Sequence, residues 1–199
     1  MKTALFLAAA LLLAGAQARG ADPVETRELI TTFANGSRPE LNRAIDRVTF
    51  LGKPREVMVA LERMAVLGSV DERRNATFAL GFLATAAQGN TLIKALEDDD
   101  VVVRTQACTA LGKLRAKGAV GQLVELTRDP SPVVRREAVR ALGAIGDKRG
   151  GPAAAGLVAD PVPETSLAAI VALGEIKDAR SGAKLLPLLQ STSETTRLA

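Results

Sequence analysis

The 199-residue sequence has no histidine, tryptophan or tyrosine, one cysteine and five phenylalanines. Without histidine there is no imidazole for a zinc site or a histidine-based triad. A single cysteine leaves no intramolecular disulfide, and Cys108 is expected to be a small buried thiol. With so few aromatics the core has to come from close contacts between aliphatic helices. The apolar run at the start, Ala4 to Ala14, falls short of the about 18–20 residues that cross a bilayer.

That run belongs to a segment with its own logic. In "MKTALFLAAALLLAGAQA" one positive charge at Lys2 precedes the apolar stretch, and Ala16-Gln17-Ala18 supplies small residues at the end. This is the layout of a secretory signal peptide over residues 1–18, cleaved before Arg19. Leu13-Ala14-Gly15 is followed by Ala16 and not by cysteine, so no lipid anchor is expected. The mature chain is read as exported, periplasmic or secreted, with no membrane anchor.

The 26 basic and 22 acidic side chains make the chain +4; loss of Lys2 with the leader leaves it at +3. The pI near 9.6 overstates this excess. Almost nothing titrates between the carboxylates and the lysines, so a few extra cations push the pI far up. A nucleic-acid partner does not follow from it.

What the chain does have is a repeat. Leu-Gly recurs at Leu80-Gly81, Leu111-Gly112, Leu142-Gly143 and Leu173-Gly174, and the step between successive pairs is constant. Alanines at 76, 107, 138 and 169 and at 79, 110, 141 and 172 keep the register, as do Leu83, Leu114, Ile145 and Ile176. Arg73, Arg104 and Arg135 align upstream, with Ser166 as the departure, and Asp98, Asp129 and Asp160 form a further column.

Within one unit, Val134, Ala138, Ala141, Leu142 and Ile145 have the spacing of an amphipathic helix. Ser131-Pro132 opens this outer helix and Gly146 closes it. A shorter inner helix follows, as in "GAVGQLVELTRD", with Val120, Leu123 and Leu126 as its buried stripe. One such pair cannot bury its apolar face, and stacked neighbours supply the missing partner. The expected fold is all-α, a right-handed α-solenoid of antiparallel helix pairs in 31-residue repeats. Glycine inside a helix costs about 1 kcal/mol relative to alanine. Its recurrence at one position implies close approach of a neighbouring backbone.

At these residues the chain resembles a known family: "DPSPVVRREAVRALGAIGD" is similar to a HEAT repeat, in the short form of phycobilisome-lyase-like proteins. The resemblance covers about residues 70–199, taken as the solenoid domain. It implies the fold strongly and an activity weakly, because that repeat serves many functions. The histidine-liganded iron site of HEAT-repeat hydroxylases is excluded by composition.

Residues 19–69 are read as N-terminal helices forming a degenerate repeat and cap. "DPVETRELITTFANG", "SRPELNRAIDRVTFLG" and "KPREVMVALERMAVLG" each suit one helix, with Gly36, Gly52 and Gly68 as stops. At the other end, Arg197 falls two periods after Arg135. "STSETTRLA" therefore reads as the opening of another outer helix, cut at Ala199 as in a fragment. An incomplete last repeat with a poorly ordered end is expected.

Three groups invite chemistry and have simpler explanations. The column Asp98, Arg104, Asp129, Arg135 and Asp160 is expected to be a structural ladder that satisfies helix ends and sets register. "EDDD", residues 97–100, lacks the alternating donors and glycine of a calcium loop. Asp100 aligns with Ser131 and is expected to cap a helix. "SGAK", Ser181 to Lys184, matches S-x-x-K but without the S-D-N and K-T-G elements of penicillin-recognising enzymes. No catalytic residue, cofactor or metal is expected.

The expected function is an exported scaffold that binds a protein partner through its concave, inner-helix surface. Its solvent-facing positions are Thr91 and Lys94, Gln122 and Glu125, Ala153 and Gly156, then Lys184 and Pro187. Alternatives are a bilin-lyase-like accessory protein, drawn from the resemblance, and a nucleic-acid-binding HEAT-like protein. Export opposes the first. The mixed charge of the inner row opposes the second, and no nucleic-acid partner is expected.

Overall fold

The computed structural model describes residues 22–182, which fall into two compact units divided between Leu83 and Ala84. Eleven α-helices and no strand are found among the described residues.

The first unit holds α1 (Pro23–Asn35), α2 (Arg38–Phe50), α3 (Arg55–Leu67) and α4 (Val70–Leu83). Local chemistry starts these helices where the sequence suggests. The Asp22 carboxylate accepts the Val24 N–H at 3.0 Å, and the Glu40 carboxylate accepts the Ser37 N–H at 2.7 Å. Ser69 and Glu72 repeat the second device at the head of α4. Phe33, Leu41, Val48, Val57, Leu61, Leu80 and Leu83 form the core, each at most 1% exposed. Helix α4 carries the first Leu-Gly pair, and its register groups it with the repeats. Within the first unit it packs on α1 to α3.

The second unit alternates short and long helices. The long outer ones are α6 (Val101–Lys113), α8 (Pro132–Ile145) and α10 (Pro163–Ile176). The short inner ones are α5 (Gly89–Ala95), α7 (Val120–Leu126) and α9 (Gly151–Gly156), each entered through a 3₁₀ turn; α11 (Ala179–Gly182) begins the next. Outer helices pack side by side, α6 on α8 and α8 on α10, and each inner helix lies against the outer helix that follows it. This is the repeat solenoid expected from the constant period.

The apolar stripe of α8 is buried as its spacing requires, with Val134, Ala138 and Leu142 at 0% exposure. Gly146 ends the helix at φ 69°, donating its N–H to the Leu142 carbonyl. Two details differ from expectation. Ser131 occupies the N-cap of α8 without a side-chain hydrogen bond, and its own N–H is held by the Asp129 carboxylate at 2.8 Å. Leu126 is only half-buried, because α7 ends there and the chain turns away from the packed face.

Two of the repeated glycines, Gly112 and Gly143, do what their position implied. A Cβ on Gly112 would lie 3.0 Å from Ala141 Cα, and one on Gly143 would lie 2.9 Å from Ala172 Cα. Gly112 and Gly143 thus each seat an alanine of the next outer helix, whereas a Cβ on Gly174 would meet nothing within 4 Å among the described residues. The two columns found in the sequence are the two sides of one contact.

Cys108 lies in the same interface at 0% exposure. Burial pushes its thiol up to about 12, and the nearby Glu137 and Asp129 carboxylates add to the effect. A thiol this protonated and enclosed is unreactive. The folded protein is expected to resist a maleimide at pH 7.5 and to consume one equivalent once unfolded in guanidinium. Rapid labelling without denaturant would contradict this burial.

Candidate functional site

The repeated charges of the solenoid are spent on structure. The Arg104 guanidinium donates Nε and Nη2 to the Asp129 carboxylate at 2.9 and 3.2 Å, and Nη1 to the Asp98 and Asp99 carbonyls at 2.7 and 2.9 Å. Arg135 repeats this one unit later, with Asp160 at 2.8 and 3.0 Å and the Asp129 and Pro130 carbonyls at 3.0 and 3.3 Å. Each arginine therefore closes the turn behind it with its third nitrogen and grips the aspartate ahead with a fork. The aspartates also hold their own turns: Asp98, Asp129 and Asp160 accept the N–H groups of Asp100, Ser131 and Val162.

Where the column departs, the bond changes. Ser166 stands in place of arginine and donates its hydroxyl to the Val158 carbonyl at 2.5 Å, a local stitch.

The other candidates make local contacts. Asp100 caps α6, accepting the Val102 and Val103 N–H groups at 3.0 and 3.1 Å. No group of three or more metal-ligating side chains is gathered among the described residues. Ser181 donates its hydroxyl to Asp178 at 2.5 Å, and its N–H goes to the same carboxylate at 3.2 Å. The hydroxyl bond holds the Asp178 carboxyl below the usual carboxylate range. The pair caps α11, and Lys184 lies outside the described residues.

Of the inner-surface positions, Lys94 on α5 and Glu125 on α7 are exposed, while Thr91 and Gln122 are half-buried on the same helices. Ala153 and Gly156 on α9 present little more than backbone, with Ala153 half-buried and Gly156 exposed. Lys184 and Pro187, and the whole of "STSETTRLA", lie outside the described residues.

Packing adds a feature that the row of positions does not show. A groove of about 560 Å³ opens where the ends of α5 and α7 and the turns after them meet. Gln122 and Glu125 form one side, Glu97 and Asp99 the other, and Leu96, Leu126 and Pro130 supply its apolar surface. The Arg104–Asp129 pair is also part of the wall. Sequence reasoning named Gln122 and Glu125 but passed over Glu97 and Asp99 as members of an acidic turn. Leu126, placed at the very end of the apolar stripe of α7, was the signal available.

Comparison with known proteins agrees with this architecture. The profile of the family described as HEAT repeats matches residues 59–130 and 120–199. No curated protein matches the sequence. Among solved structures, the complex of CpcE and CpcF of phycocyanin lyase from a Nostoc species is similar at 23% identity and TM-score 0.62, covering 90% of this chain and 76% of that one. A designed armadillo repeat protein in complex with peptide (KR)4 is similar at 20% identity and TM-score 0.60, with 88% of each chain covered. An engineered protein is similar at 20% identity and TM-score 0.63, covering 87% of this chain and 85% of that one. At such identities the likeness is one of fold.

Proposed function

Because the chain belongs to the HEAT-repeat family, we propose that it is an exported scaffold that docks a protein partner on its inner-helix surface. One observation carries the reading: the buried and ladder columns are nearly uniform from repeat to repeat, while the solvent-facing inner positions are not. Thr91 and Lys94, Gln122 and Glu125, and Ala153 and Gly156 give each rung a different surface. Side chains that vary on a constant frame suit recognition of a particular partner, not upkeep of the fold.

Further support is independent. The leader-like segment, with Lys2, the apolar run and Ala16-Gln17-Ala18, favours export. One repeat protein of similar fold is solved with a peptide bound. The carboxylates around the groove would repel a phosphate backbone, which disfavours nucleic acid there. The fold shared with phycocyanin lyase does not by itself transfer an activity.

The test is site-specific photo-crosslinking in the native host. A photoreactive residue at Gln122 is expected to give a protein adduct from the exported fraction, on a mature chain starting at Arg19. The same residue at the exposed Arg140 of the outer face should give none. Adducts from Arg140 alone, or a chain retained in the cytoplasm with its leader, would refute the proposal.

A further inference from the structure

We propose that the groove between the ends of α5 and α7 seats a lysine or arginine side chain from a basic segment of the partner. This rests on the inner surface being the docking face, and it names the chemical class that one part of that face accepts.

The argument is one of charge and shape together. The chain is net basic, yet the lining of this groove sets the carboxylates of Glu97, Asp99 and Glu125 beside the hydrogen-bonded Asp98 and Asp129 and the Arg104 guanidinium. Arg104 is fully engaged: its Nε and Nη2 hold Asp129 and its Nη1 two backbone carbonyls. It cannot turn to neutralise the others. Among the described residues, the carboxylates of Glu97, Asp99 and Glu125 have no hydrogen bond or ion pair, and Glu97, Asp99 and Glu125 are exposed. The groove therefore offers acceptors to an incoming cation.

Size and polarity narrow the occupant. The volume of about 560 Å³ is within the range of about 300–1,000 Å³ typical of ligand pockets. A divalent ion would need oxygens converging at about 2.0–2.6 Å, and no such cluster is present among the described residues. Leu96, Leu126 and Pro130 add an apolar wall, which an ion would not use. A long cationic side chain uses both parts: its methylenes lie on the apolar wall while its charged head reaches the carboxylates.

The probe is a fluorescent decapeptide of alternating lysine and alanine, titrated by anisotropy against the mature chain from Arg19. A glutamate–alanine peptide serves as its counterpart. The lysine peptide is expected to bind, more weakly as salt rises, and the glutamate peptide not to bind. The variant Glu97→Gln/Asp99→Asn/Glu125→Gln should weaken the lysine peptide about tenfold, as three partly exposed charge contacts would. Glu28→Gln/Glu164→Gln/Glu175→Gln changes the net charge equally at exposed sites elsewhere and should leave binding intact.

No binding of the lysine peptide, equal loss in both variants, or equal binding of the two peptides would overturn the proposal. A partner adduct at Gln122 that persists unchanged in the Glu97/Asp99/Glu125 variant would remove the basic-segment class alone. Absence of that adduct in the unsubstituted protein would remove the docking face itself.

Discussion

Gly143→Val is expected to destabilise the repeat unit by about 3 kcal/mol, at the upper end of overpacking costs. That corresponds to a fall in Tm of about 10–20 °C for a domain of this size. A Cβ at Gly143 would stand 2.9 Å from the Cα and 3.0 Å from the Cβ of Ala172, and against the Glu175 carboxylate as well. The glutamate can swing aside, being the far end of a flexible side chain. The backbone of α10 cannot move without prising it from α8 along the length of both helices. Gly143→Ala is expected to lose about 1 kcal/mol net, since a helix-propensity gain of similar size offsets part of the clash.

The control lies on an inner helix. Gly121 in α7 is exposed, and an added Cβ there meets nothing within 4 Å. Gly121→Ala is expected to stabilise by about 0.5–1 kcal/mol through helix propensity alone. Thermal melts followed by circular dichroism compare the three variants. Equal stabilisation by Gly121→Ala and Gly143→Ala would show that the glycine column serves no close contact.

Arg135→Met is expected to cost about 3 kcal/mol, because it leaves the Asp160 carboxylate buried without its counter-ion. The two side chains are 15% and 4% exposed, so water cannot take over the lost hydrogen bonds. The double variant Arg135→Ser/Asp160→Ser should cost less than the sum of the singles, with a coupling of about 1–3 kcal/mol. The sequence makes the same joint change one rung later. Ser166 replaces the arginine, and Ser191 occupies the next place in the aspartate column after Asp160.

Acid should reveal the same pair. Hydrogen bonds from Arg135 hold the Asp160 carboxyl below its usual value of 3.8, against the opposing effect of burial. A carboxyl lowered on folding stabilises fully above its unfolded pKa and ceases to do so as pH falls through its folded value. The difference in stability between the unsubstituted protein and Arg135→Met is therefore expected to be full at pH 6 and to narrow below about pH 4. Urea titrations at a series of pH values measure it. A difference independent of pH would mean that packing of the arginine stem, and not its charge, is what Arg135 contributes.

Much of this protein was legible from residue spacing. The constant repeat period located the outer helices, and the glycine column pointed to a close helix contact before any partner was known. Capping by Asp100 followed from its alignment with Ser131, although Ser131 itself does not cap through its hydroxyl. Helix α4 has the register of the repeats and packs on α1 to α3 within the first unit.

The sequence by itself determined the periodic frame, since a helix translates residue spacing directly into faces and every unit repeats the same faces. Only the tertiary structure decided which charges pair across units and which stand free. Arg104 and Asp129 lie in successive units, and the displacement from one repeat to the next brings the fork onto the carboxylate. The groove arises in the same way. Leu96, Glu97 and Asp99 meet Glu125, Leu126 and Pro130 only because successive inner helices stop short of closing the space between their ends. Such a gap is a property of how units stack, and no one-dimensional period contains it.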